Sequence, residues 1–175
     1  MMRAMEDAGE KKAFPPNTVH VIRTAQQIHV ALSQMADQKA NMLLAATFVI
    51  FTIAIGQARE LAEPTPLLIL GGAAFLSAIF AVLSVLPSAR FPKQEGANLL
   101  FFGSFSRLGE EEYLDRVVAA IGDEEQAFRL MLRDLYQNGL VLQRKKYRLL
   151  GYAYRIFLAG LVASFVAFVA DYFFT

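Results

Sequence analysis

Three apolar stretches, residues 40–56, 67–86 and 149–170, constrain this chain more than any other feature. The first two carry no charge and the third carries only Arg155. A helix crossing the hydrocarbon core needs about 20 mostly apolar residues. In lipid the backbone must satisfy its own hydrogen bonds, which helices do within one segment. The expected fold is an all-α membrane protein with three transmembrane helices, near residues 40–57, 67–86 and 149–173. The hydrophobic content of 55% exceeds the roughly 45–50% of soluble chains, and the excess sits in these stretches.

The breakers of regular structure set the remaining elements. Residues 1–16 read as a disordered lead-in that ends in Pro15-Pro16, and residues 17–175 as a single membrane domain. Asn17 or Thr18 is placed to cap a helix, and neither Gly nor Pro follows until Gly56. The first helix is thus expected to run unbroken over about 18–57, with its first half outside the bilayer. Val21, Ala25, Ile28, Leu32 and Met35 form a seam of coiled-coil spacing along that half. Pro64 and Pro66 mark the turn into the second helix, and Pro87 and Pro92 stop it. A short amphipathic helix is expected over about 109–121. Asp123 and Gln126 then resemble a capping box, opening a last helix expected to be continuous from about 124 to 173. Its own seam is Phe128, Leu132, Leu135, Gly139 and Leu142. Two of the three spanning helices are thereby extended into a cytoplasmic helical stalk that also holds the short helix and the segment 98–103.

Charge gives the orientation. Of the 17 Lys and Arg residues, only Arg59 falls in the connection between the first two spans. Lys and Arg concentrate on the cytoplasmic side of membrane proteins. The expectation is a multi-pass protein of the inner membrane with a cytoplasmic N-terminus, a periplasmic C-terminus, and cytoplasmic parts 17–39 and 87–148.

Several classes of function find little footing. With no Cys, disulfides, thiolate metal sites and a Cys nucleophile are excluded. His20 and His29 are nine residues apart with no third nitrogen ligand, so no metal site is expected. No nucleophile has an acid/base pair beside it, so catalysis is not expected. A net charge of +1 points to no nucleic-acid partner. Apart from Arg155 and Asp171 at their ends the spans lack buried charges, whereas a transporter needs intramembrane polar groups for its substrate or proton.

Two polar clusters border the spans. Asp37-Gln38-Lys39-Ala40-Asn41 lies at the mouth of the first. Asp37 and Asn41, one turn apart, share a helix face. Gln143-Arg144-Lys145-Lys146-Tyr147-Arg148 precedes the third. Either cluster reads as an ordinary membrane boundary, with Lys39 reaching headgroups and the cations anchoring anionic lipid, or as a ligand site. Small residues recur every fourth position, Ala73, Ser77 and Ala81 on the second span and Ala159, Ala163 and Ala167 on the third. Such lines allow close helix packing in lipid, within one chain or between subunits of a homo-oligomer.

The order Asp37-Gln38-Lys39-Ala40-Asn41-Met42-Leu43-Leu44, then Asn98-Leu99-Leu100-Phe101-Phe102-Gly103, then Glu110-Glu111-Glu112-Tyr113, then Asp134-Leu135-Tyr136 and Lys146-Tyr147-Arg148-Leu149-Leu150 carries a resemblance. Over residues 20–174 the chain resembles the transmembrane effectors of Pycsar anti-phage defence. The resemblance implies a bacterial effector encoded beside a pyrimidine nucleotide cyclase. Phage infection triggers synthesis of cUMP or cCMP. The effector responds by impairing the inner membrane, and the cell stops before phage mature. This chain has no appended β-roll nucleotide domain, so a nucleotide site has to be built from the helices or the signal has to come through a partner. The candidate ligand-binding residues are Lys39, Arg144, Lys145 and Arg148 for the phosphate, Asp37 and Asn41 for ribose or base, and Tyr136 or Tyr147 for stacking. The alternative is a small scaffold membrane protein that recruits a cytoplasmic partner through its stalk.

Overall fold

In the computed structural model of the protein, the described residues are 14–61, 64–86 and 98–174. Among them 87% are helical and none lies in a strand. The elements are α1 (Thr18–Ala58), α2 (Thr65–Val85), α3 (Phe102–Phe105), α4 (Glu110–Ile121), α5 (Glu124–Val141), a π-helical turn (Leu142–Tyr147) and α6 (Arg148–Phe174). Three helices are long and apolar enough to cross a membrane: α1, α2 and the run from α5 through α6. The protein is an all-α membrane protein. Most of the expected lead-in and the stop at Pro87 and Pro92 lie outside the described residues.

The elements begin where local chemistry starts them. The backbone N–H and hydroxyl of Thr18 both donate to the Pro15 carbonyl, at 2.9 and 2.8 Å, and form the first turn of α1. Pro66 sits within the first two positions of α2, where a missing N–H costs nothing. Glu110, Glu111 and Glu112 fill the first turn of α4, against the positive end of the helix dipole. Asp123 Oδ1 accepts the Gln126 N–H at 2.9 Å and starts α5, as the capping pattern predicts.

The described chain forms two compact units. The first comprises Met1–Ile28 and Ala89–Gln137, the second His29–Ser88 and Asn138–Thr175. In the first unit Ile22, Leu99 and Phe128 are buried, and the Phe14 ring lies 4.5 Å from that of Phe128. Phe105 packs on Tyr113 at 4.9 Å, joining α3 to α4. The segment 98–103, expected to be a packed or interfacial loop, is a turn leading into α3 with Asn98 and Leu99 buried.

The second unit holds the spanning helices. Its core is Ala36, Ala40 and Leu43 of α1, Ala81 of α2, and Leu150 and Ala153 of α6. α2 and α6 run antiparallel: Ser77 Oγ donates to the Ala153 carbonyl at 2.8 Å and Ser164 Oγ to the Pro66 carbonyl at 2.7 Å. Small residues let the backbones come this close. The line Ser77 and Ala81 is therefore buried inside one chain, whereas Ala159 and Ala163 are exposed.

Two readings of periodicity need correction. On α1, Val21, Ile28 and Met35 are 67%, 52% and 45% exposed, and the buried residues are Ile22 in the first unit and Ala36, Ala40, Leu43, Thr47 and Ala54 in the second. α1 is apolar along two adjacent lines, and a seven-residue spacing alone does not say which faces inward. In α5, Leu132 is half exposed although Phe128 and, beyond α5, Leu142 are buried. The last helix is also not one continuous α-helix, because the π-turn interrupts it at Leu142–Tyr147.

Candidate functional site

The π-turn carries the basic cluster, and three of its side chains, Lys145, Lys146 and Tyr147, have specific partners. Lys146 Nζ donates to Ser33 Oγ at 2.7 Å and to both carboxylate oxygens of Asp37, at 2.8 and 2.7 Å. These contacts match the three donors of an ammonium group. The Lys146 side chain is 20% exposed and that of Asp37 40%. Next to it, Tyr147 Oη donates to the Leu32 carbonyl at 3.2 Å. Lys145 Nζ donates to the Leu86 carbonyl at the end of α2. Two turns further along, Tyr154 Oη donates to the Lys39 carbonyl at 3.3 Å. A wider turn reduces the angle between successive residues, so Lys146 and Tyr147 both reach α1.

His29 lies one helical turn before Ser33 on α1. Its Nδ1 is buried without a hydrogen-bond partner. Gly139 makes room for the ring, since a methyl group there would lie 3.1 Å from His29 Cε1. The pairs Gly139 with His29, Lys146 with Ser33, and Tyr154 with Lys39 ascend together, so α1 and α6 are parallel in this unit.

The candidate residues separate accordingly. Asp37 and Tyr147 are joined to α1 and the π-turn through Lys146 and the Leu32 carbonyl, and Lys145 is tied to α2. Lys39, Asn41, Arg144 and Arg148 are exposed. Tyr136 belongs to the first unit and is 67% exposed. Sequence reasoning left out Lys146 and Ser33. Lys146 looked like one cation among four, and its partner is 109 residues away.

A second polar assembly, in the first unit, also escaped the sequence. Asn98 Nδ2 donates to Asp134 Oδ1 at 3.0 Å and to Gln137 Oε1 at 2.9 Å, and its Oδ1 accepts the Leu100 N–H at 3.0 Å. Gln26 Nε2 reaches Asp134 Oδ2 at 3.3 Å, and the Asn98 N–H donates to Ser104 Oγ at 3.0 Å. Buried polar groups need such partners. The network clamps the turn before α3 onto α5 and the start of α1. Its one legible sign was an Asn at the head of an apolar run. Among the described residues no group of three or more His, Cys, Asp or Glu is placed to hold a metal ion.

Residues 20–171, which run from the first turn of α1 to the last turn of α6, match the model of the Pycsar effector protein domain. The chain belongs to this family. It is a transmembrane effector of anti-phage defence. No curated protein and no solved structure matches it.

Proposed function

We propose that this Pycsar effector responds to a cyclic pyrimidine mononucleotide, cUMP or cCMP, made by a separate pyrimidine cyclase, and then impairs the integrity of the bacterial inner membrane. The observation that carries the reading is the cluster of Asp37, Ser33 and Lys146 between α1 and the π-turn, flanked in sequence by the exposed Lys39, Arg144 and Arg148. It stands where the apolar part of the last helix begins. The exposed cations meet the phosphate. Asp37 and Lys145 exchange their present partners for the ligand, Asn41 adds a hydrogen bond, and Tyr147 stacks on the base. Residues 17–39 and 87–148 face the cytoplasm as a helical stalk, and the protein acts as a homo-oligomer in the bilayer.

The test is titration of the purified full-length protein with a panel of cyclic nucleotides. A hydrogen bond to a charged group contributes about 1.5–3 kcal/mol, so Lys39→Ala and Arg144→Ala are each expected to weaken binding by about tenfold or more. Both variants should insert into membranes normally. Unchanged affinity in both removes the site from this cluster.

A further inference from the structure

The π-turn has no local cause. Leu142, Gln143, Arg144, Lys145 and Lys146 are strong α-helix formers, and no Gly or Pro lies between 140 and 150. π-turns are rare and are found frequently at functional sites. What holds this one open is tertiary: three successive side chains, Lys145, Lys146 and Tyr147, are each anchored on a neighbouring helix or its end. The chain on its N-terminal side is seated separately, through Gly139 against His29.

A π-turn holds one residue more than the α path it replaces. Closing it rotates everything beyond by about 100° and advances it by about 1.5 Å, so each residue takes the place of the one after it. On α6, Gly160 and Ser164 face α2 now. Ala159 and Ala163, each one residue earlier and exposed, follow them. Ala163 is small enough for the place of Ser164, but a Cβ at the place of Gly160 would lie 1.9 Å from that of Ala73, and Tyr152, now edge-on to Phe80 of α2 at 6.0 Å, comes to the buried place of Ala153. The shift therefore also separates α6 from α2 along this line.

We propose that the Lys146–Asp37 pair is a latch holding the π-turn open, and that its release closes the turn and shifts α6 by one residue against α1 and α2. This deepens the proposed function, because it names how an anion arriving at the cluster acts on the spanning helices. A phosphate that takes Lys146 from Asp37 opens the latch.

The experiment reads the shift directly and independently of any effect on cells. The chain has no Cys, so Val49→Cys and Phe165→Cys, both exposed positions on α1 and α6, carry unique spin labels. The doubly labelled full-length protein is diluted with unlabelled protein in lipid nanodiscs. The parent and Lys146→Arg are expected to share one inter-label distance. Asp37→Asn and Lys146→Met should populate a second, displaced by up to about 8 Å, the chord of such a rotation at side-chain radius. Loss of one or two kcal/mol moves a two-state ratio roughly 5- to 30-fold, so the second distance should gain by that factor. Deleting Gln143 removes the extra residue, and Asp37→Asn with this deletion should return to the parent distance. A single unchanged distance in both latch variants overturns the proposal, as does a broad distribution that the deletion does not sharpen. A displaced distance without dye uptake by cells upholds the latch and counts against membrane damage as its output.

Discussion

Gly160 lies at a close approach of α6 to α2. A methyl group on it would lie 1.9 Å from the Cβ of Ala73, a rigid neighbour that cannot swing away. Gly160→Ala is expected to cost about 1–3 kcal/mol, the usual penalty of overpacking, and to lower the melting temperature in mild detergent. Gly72, on the same helix as Ala73, has nothing within 4 Å of an added methyl. Gly72→Ala should leave the melting temperature unchanged or raise it, since Ala is favoured over Gly in a helix by about 1 kcal/mol. An unchanged or raised melting temperature in Gly160→Ala would show that the contact with Ala73 does not set the cost. Lys146 and Asn98 show the limit of reading at this scale. Each looked ordinary in sequence, and each is the centre of a polar assembly because of partners far along the chain.

Among the elements, the two small-residue lines have different roles. Ser77 is fully buried against α6 and bonded to the Ala153 carbonyl, so Ser77→Leu should separate α2 from α6 and reduce the folded yield. Ala163 is exposed. Ala163→Leu should leave the stability of the fold within about 0.5 kcal/mol of the parent, as for a surface change, while weakening the proposed homo-oligomer. Light scattering in detergent reads the second effect, and an unchanged mass would exclude this face from the subunit contact. Spacing alone left both lines open to either role. Similarly, the seam on α1 was visible as a period, but its inward line is one residue along, where Ser33 and Ala36 meet their partners.

For the whole molecule, the second unit has α6 antiparallel to α2 and parallel to α1, as three successive crossings require. In the proposed orientation, with all basic residues but Arg59 assigned to one side under the positive-inside rule, the N-terminus lies in the cytoplasm and the C-terminus in the periplasm. A reporter enzyme that works only in the periplasm, fused after Thr175, should be active. Fused within the connection between α1 and α2 it should also be active, and after Ile121 inactive. Activity of the last fusion, or silence of the first, would exclude a three-span path with this orientation.

By itself the sequence determined the three spans, the bounds of α1, α2 and α4 to within a few residues, and the resemblance to the family. These follow from local quantities: apolar runs, Pro and Gly positions, capping residues and the order of short motifs. Only the tertiary structure decided which line of α1 is buried, that Lys146 rather than its basic neighbours holds Asp37, that Asn98 and Asp134 form a clamp, and that the last helix opens into a π-turn. The physical reason is shared. Each depends on pairing between residues 36 to 115 positions apart. In the π-turn such pairing overrides a stretch whose own preference is α-helical.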